Sequence, residues 1–155
     1  MGKQQTESLK KQNEPLLASR VSLDADGAEE IAKSLRHLLA DVFALYLKTK
    51  NFHWHMTGSH FRDYHLLLDD HGAQLFAMTD PIAERGRKIG GVTIRSIGDI
   101  ARHQRISDDD EQSVNPEHML GMLCKDNDQL TRSLRTTHEL CDRFSVTLTL
   151  PWITV

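Results

Sequence analysis

The chain has 155 residues, 39% of them hydrophobic, and a formal net charge of −3. That length suits one domain with its own core, no apolar run is long enough to cross a bilayer, and the slight acidity excludes a surface that draws in polyanions everywhere. The two cysteines, Cys124 and Cys141, fall at helical positions expected to look inward and form no disulfide framework, and no signal-peptide pattern opens the sequence. A soluble protein of the reducing cytoplasm, with no membrane partner, is the expectation.

Residues 1–22 are polar and lack periodicity, which reads as a flexible tail. Lys3, Lys10, Lys11 and Arg20 make it weakly basic against Glu7 and Glu14. Asp26 and Glu29 have capping-box spacing and are expected to open the first helix. Ile31, Leu35, Leu38, Val42, Leu45, Tyr46 and Thr49 then recur at three- and four-residue steps, and His53 falls in phase with them. The stretch around Gly58 reads as a turn, with Ser59 capping a second helix that Gly90 and Gly91 should end. Ile97, Ile100 and Ala101 suggest a short crossover helix within residues 95–105, followed by an acidic loop at 108–111. Asn115 and Pro116 are suited to the N-cap and first turn of a third long helix. Its stripe is Met119, Leu120, Leu123, Asn127, Leu130, Leu134, Cys141 and Phe144.

The chemistry is concentrated between positions 53 and 84. Five of the nine histidines lie between His53 and His71, interleaved with carboxylates. On a helix advancing about 100° per residue, His65, Asp69, Asp80 and Glu84 share an arc beside the stripe of Phe61, Leu68, Gly72, Phe76, Thr79 and Ala83, which places them at its buried edge. His60, Asp63, Asp70 and His71 point elsewhere and read as solvated surface. Asp69 and Asp80 share a face but stand about 16 Å apart along the axis, too far for one metal ion. A two-fold axis pairing antiparallel copies of this helix would bring Asp80 and Glu84 of one subunit to His65 and Asp69 of the other. The competing reading is local ion pairing, with Glu84 bridging to Arg87 or Lys88 across one turn. Mixed imidazole and carboxylate ligation suits a redox-active iron better than a structural zinc. Pro81 lies inside the same helix, where a kink beside Asp80 is expected.

His53-Trp54, followed by Gly58, Phe61, His65 and Asp69, and then by Asp80, Ala83, Glu84 and Arg85, resembles the Dps-class mini-ferritins, the DNA-protecting proteins of starved bacteria, over residues 23–142. The resemblance implies an all-α ferritin-like bundle with a short crossover helix. It also implies a ferroxidase centre shared between subunits, with His53, His65 and Asp69 from one chain and Asp80 and Glu84 from its two-fold mate. Fe(II) would be oxidised there, preferably by hydrogen peroxide, and Fe(III) stored inside a twelve-subunit shell. By the same resemblance, lysine-bearing tails can hold DNA, so Lys3, Lys10, Lys11 and Arg20 are the candidate contacts and nucleoid association a possible location. Trp54 stands beside the site in sequence. Asp126 and Asp128 are candidates for an iron entry pore.

Residues 23–144 thus form the expected ferritin-like domain. After Phe144 the chain offers SVTLTLPWITV, rich in β-branched residues and interrupted by Pro151, where a ferritin-like bundle needs a fourth long helix. The expectation is therefore that the fourth helix is truncated or replaced by this atypical 145–155 segment, leaving its groove exposed or filled by a neighbour. Two alternatives keep the fold: a structural DNA-compacting protein without effective ferroxidase chemistry, and a truncated, poorly assembling relative.

Overall fold

A computed structural model of the chain describes residues 25–111, 114–144 and 146. The basic tail positions and nearly all of the 145–155 segment lie outside these described residues. The described fold is all-α. Three long helices, α1 (Ala25–His55), α2 (Phe61–Lys88) and α4 (Pro116–Arg143), are joined by turns and by the short crossover helix α3 (Ile97–His103). Helix α1 is the hub, packing against α2, α3 and α4. No described helix is long and apolar enough to cross a membrane.

The stripe read from α1 is its buried face. Ile31, Leu35, Leu38, Val42, Leu45 and Thr49 are all at most 2% exposed, and Tyr46 is half-buried. Leu68, Leu75, Ile82, Met119, Leu123 and Leu130 complete the core across α2 and α4. Each such large side chain stabilises the fold by roughly 1.5–3 kcal/mol when fully buried.

Helix ends follow the local chemistry with two exceptions, at Asp26 and Ser59. Helix α2 closes with a left-handed Gly90 (φ 87°), whose N–H bonds to the Arg87 carbonyl while Gly91 N–H reaches back to Gly86 O at 2.9 Å. Asn115 caps α4, its side chain accepting from His118 N–H, with Pro116 in the first turn. Ser96 caps α3 through Asp99 N–H. Ser59 does not cap α2: the N-cap is His60, which makes no side-chain cap bond. The helix entry is set instead by Gly58 (φ 98°), whose carbonyl accepts from Phe61 N–H. Asp26 lies inside the first turn of α1, which already includes Ala25, so it is not the N-cap expected of the Asp26–Glu29 box, and α2 runs on through Pro81.

Long-range polar ties hold the crossover and α4 to α1. Asp41 is fully buried and accepts from Arg105 three times, from the backbone N–H, from Nε and from Nη2. Lys48 pairs with Asp126 at 2.6 Å, both largely buried, and Ser34 bonds to Thr137 at 2.8 Å.

Two sets of inward positions are corrected. Cys124 is exposed, while Cys141 is buried as expected. Asn127 is likewise exposed, its amide donating to the Leu123 carbonyl in the preceding turn. In α2, Phe61 and Phe76 are 45% and 56% exposed, because the periodic stripe of that helix is wider than the face α1 covers. Outside the core, Leu47, Trp54 and Ile97 are exposed around an open groove of about 1020 Å³ between α1, α3 and the acidic loop.

Candidate metal centre

The turn between α1 and α2 brings the last turn of one helix beside the first turns of the next. His53, on the inward stripe of α1, is buried, and His65, one turn into α2, is half-buried. Nδ1 of His53 donates to the His65 carbonyl at 2.8 Å, and Nδ1 of His65 donates to the His53 carbonyl at 2.9 Å. The rings stack with centroids 3.7 Å apart and planes 20° from parallel, and Phe61 stacks on the far side of His65 at 5.0 Å.

This reciprocal arrangement selects a tautomer. A proton on each Nδ1 leaves each neutral Nε2 with a free lone pair, the usual presentation of a metal-binding histidine whose other nitrogen is held by a carbonyl. His53 Nε2 lies 3.9 Å from Oδ1 of Asp69, one turn beyond His65 on α2. Asp69 also accepts from Lys50 Nζ at 2.7 Å. That ammonium, by hydrogen bond and by charge, holds the carboxyl below the usual carboxylate range, with lesser help from the two histidines. One imidazole nitrogen and an ionised carboxylate thus face each other on the rim of the α1–α2 hairpin, with the His65 ring stacked beside His53.

Asp80 and Glu84 are not brought to this rim. Both are exposed further along α2, and Glu84 takes the local partner foreseen by the competing reading, Lys88, at 2.6 Å across one turn. That contact lowers the Glu84 pKa. Among the described residues no group of three His, Cys, Asp or Glu side chains closes around one point. The buried edge expected for Asp69, Asp80 and Glu84 is thus solvent-facing in the single chain. Trp54 points away from the hairpin rim into the α1–α3 groove and is 59% exposed. Asp126 is engaged by Lys48 and is not free to line a pore, while Asp128 is exposed.

Sequence reasoning missed Lys50. It stands one turn before His53 on α1, and the signal that points to it is Gly72 on the facing stripe of α2. A Cβ on Gly72 would lie 2.9 Å from Lys50 Cδ, so the absent side chain marks where the lysine crosses.

An all-α bundle presenting imidazole and carboxylate from adjacent helices is the architecture of the ferritin-like proteins. The family model of the ferritin-like domain matches residues 32–147, and the chain belongs to that family. Its similar proteins include members of the Dps class. It is 31% identical to DNA protection during starvation protein 1 of Deinococcus radiodurans over 74% of this chain and 55% of that protein. The crystal structure of antigen TpF1 from Treponema pallidum matches with 28% identity, 82% of this chain and 81% of that one, at a TM-score of 0.76. An archaeal Dps homologue from Halobacterium salinarum matches with 28% identity, 80% and 69% coverage, and a TM-score of 0.75. The chain spans 55% to 64% of the length of the first curated relatives it matches.

Proposed function

We propose that this protein oxidises Fe(II), preferably with hydrogen peroxide, at a centre shared between two subunits, and stores the Fe(III) product inside a homo-oligomeric shell. The observation that carries the reading is the mutual brace of His53 and His65, which leaves both Nε2 atoms free of the backbone and sets that of His53 3.9 Å from the Asp69 carboxylate. In this reading His53, His65 and Asp69 bind iron from one subunit, and Asp80 and Glu84 of the partner subunit complete the centre. The spacing within α2 supports that division, since Asp69 and Asp80 cannot reach one ion from the same helix. Glu84 would leave Lys88 on meeting iron, an exposed contact that costs little to break.

The chemistry balances simply. Two Fe(II) ions give one electron each to one peroxide, its O–O bond breaks, and with two waters the products are two ferric oxyhydroxide units and four protons. Asp69 and Glu84 supply anionic oxygen that favours the ferric state, and the braced imidazoles keep their orientation while charge on the metal rises.

The expected assembly is a dodecamer built from two-fold dimers. Support comes from the exposed apolar groups on α1, α2 and α3, including Leu47, Phe76 and Ile97, which a second copy would cover. Within the chain, residues 1–22 would act as a tail and 23–144 as the ferritin-like body, with 145–155 a distinct short segment. Lys3, Lys10, Lys11 and Arg20 of the tail would supply DNA contact, protecting nucleic acid in a cytoplasmic, nucleoid-associated setting.

Rapid peroxide-dependent Fe(II) oxidation by the purified protein, lost in His65→Ala, tests the enzymatic part. Salt-sensitive DNA retardation without any such oxidation would instead favour a structural DNA-compacting role.

A further inference from the structure

Phe61 opens α2 with 45% of its surface exposed, and its ring lies along an imidazole instead of in the core. Residues four apart on a helix share a face, and long helical side chains lean toward the N-terminus, so His65 is carried back over Phe61. The two rings stack with centroids 5.0 Å apart and planes 26° from parallel, while His53 stacks on the opposite face of His65 at 3.7 Å and 20°. Helical spacing alone does not produce this alignment. His60 and Tyr64, also four apart, meet at 5.8 Å with their planes tilted by 51°. The Phe61 backbone is set by the turn before it, its N–H donating to the Gly58 carbonyl at 3.2 Å.

We propose that Phe61 is a positioning residue that clamps the His65 imidazole from the face opposite His53, holding the ring in the plane in which Nδ1 meets the His53 carbonyl and Nε2 stays free for the incoming metal ion. This inference rests on the reading of His65 as a metal ligand. The terminal torsion of a histidine is broad, and one hydrogen bond at 2.9 Å fixes a point on the ring without fixing its plane. His53 closes one side only. His65 is half-buried, so without Phe61 its ring can swing outward. Each departure breaks the Nδ1 bond and lets the proton sit on either nitrogen. A proton on Nε2 covers the lone pair that a metal needs. Stacking of two aromatic rings adds roughly a two- to tenfold preference beyond plain apolar cover, which gives the half-exposed ring a use that core packing does not.

Two readouts independent of turnover test this on the full-length protein. Solid-state nitrogen NMR of histidine-labelled, metal-free protein at fixed pH shows which His65 nitrogen carries the proton, its signals assigned by their loss in His65→Gln. Isothermal titration with redox-inert Zn(II) gives the affinity. Wild type and Phe61→Tyr should carry the His65 proton on Nδ1 alone and bind Zn(II) equally. Phe61→Leu keeps apolar bulk without a flat face. It and Phe61→Ala should show mixed tautomers at His65 and bind Zn(II) about two- to tenfold more weakly. An unchanged tautomer or unchanged affinity in Phe61→Ala overturns the proposal. Wild-type behaviour of Phe61→Leu overturns it as well, since apolar cover would then suffice, and so does a loss in Phe61→Tyr equal to that in Phe61→Ala. Absence of any Zn(II) site sensitive to His65→Gln overturns the ligand reading and this inference with it, an outcome separate from a His65-dependent site indifferent to Phe61.

Discussion

His53 and His65 brace each other, each Nδ1 donating to the other's backbone carbonyl at 2.8 and 2.9 Å while the two rings stack. Side chain and main chain of two helices are thereby locked in one closed cycle, and the free nitrogens acquire a fixed direction. Removing either imidazole would take away a proposed ligand and also unset its neighbour.

For that reason His65→Ala should lower the initial rate of peroxide-driven Fe(II) oxidation by about tenfold or more, followed by stopped-flow absorbance of the ferric product. Asp80→Ala should do the same from the other half of the centre. Refolding the two variants together should recover part of the activity, since mixed dimers hold one intact site. Wild-type rates in either variant alone would sink the assignment of that residue.

The Asp69 carboxyl is depressed by Lys50, and the direction of its pH dependence follows. A folded-state pKa below the unfolded one gives a contribution fully present above the unfolded value and lost as pH falls through the folded value. Carbon-detected NMR should place the Asp69 midpoint below the ordinary carboxylate range in the metal-free protein and move it upward in Lys50→Met. An unmoved midpoint in that variant would assign the shift to some other cause.

Asp41 is 0% exposed and takes three hydrogen bonds from Arg105. Asp41→Ala leaves the guanidinium and a backbone N–H without their acceptor, and because Arg105 is itself half-exposed the loss is less than for a fully buried pair, about 2–4 kcal/mol. Thermal or urea unfolding measures it. A change under about 0.5 kcal/mol, the range of ordinary surface substitutions, would mean that the clamp is replaceable by water.

Gly91 lies against α1, where an added Cβ would stand 2.3 Å from Ala32 Cβ and 3.0 Å from Gly86 O. Gly91→Ala should cost about 1–3 kcal/mol by overpacking. Ala32→Gly alone costs about 1 kcal/mol through helix propensity, yet combined with Gly91→Ala it should give a double variant more stable than Gly91→Ala alone. Strict additivity in the double-mutant cycle would show that the clash is relieved by backbone movement instead.

Deleting residues 1–12 removes Lys3, Lys10 and Lys11 and should weaken salt-sensitive DNA retention while leaving iron oxidation intact. Retention unchanged at matched salt would move the contact to the arginines near the crossover.

Where the sequence was legible, one local rule sufficed. The α1 stripe, the Asn115 cap with Pro116, and the glycine stop after α2 each depend on residues within a few positions, and each is seen in the fold. Helical phase groups His65 with Asp69 on α2 but misplaced that face, since Asp69, Asp80 and Glu84 are exposed rather than at a buried edge. Phase does not say how much of a face is covered, and so Phe61 and Phe76 were read as core although each is about half exposed, Phe76 meeting α1 at the Tyr46 ring. Asp41 is in phase with Leu38 and Leu45 and could have been marked as a buried charge, but its partner lies 64 residues away, beyond any periodicity. Lys50 was missed because a lysine beside an aspartate on another helix leaves no motif; the glycine it crosses was the trace.

The His53–His65 cycle spans 12 residues, whereas the Asp41–Arg105 clamp spans 64. Short loops close at smaller entropic cost than long ones, so the imidazole pair should be set during the first helical hairpin to form, ahead of the crossover and α4. Pulsed hydrogen exchange during refolding would read this order, with protection at the α1–α2 turn preceding protection of Arg105 N–H, and the reverse order would refute it. On this account the braced imidazole pair is written into the opening step of the folding reaction, and a nascent chain displays it before its bundle is complete.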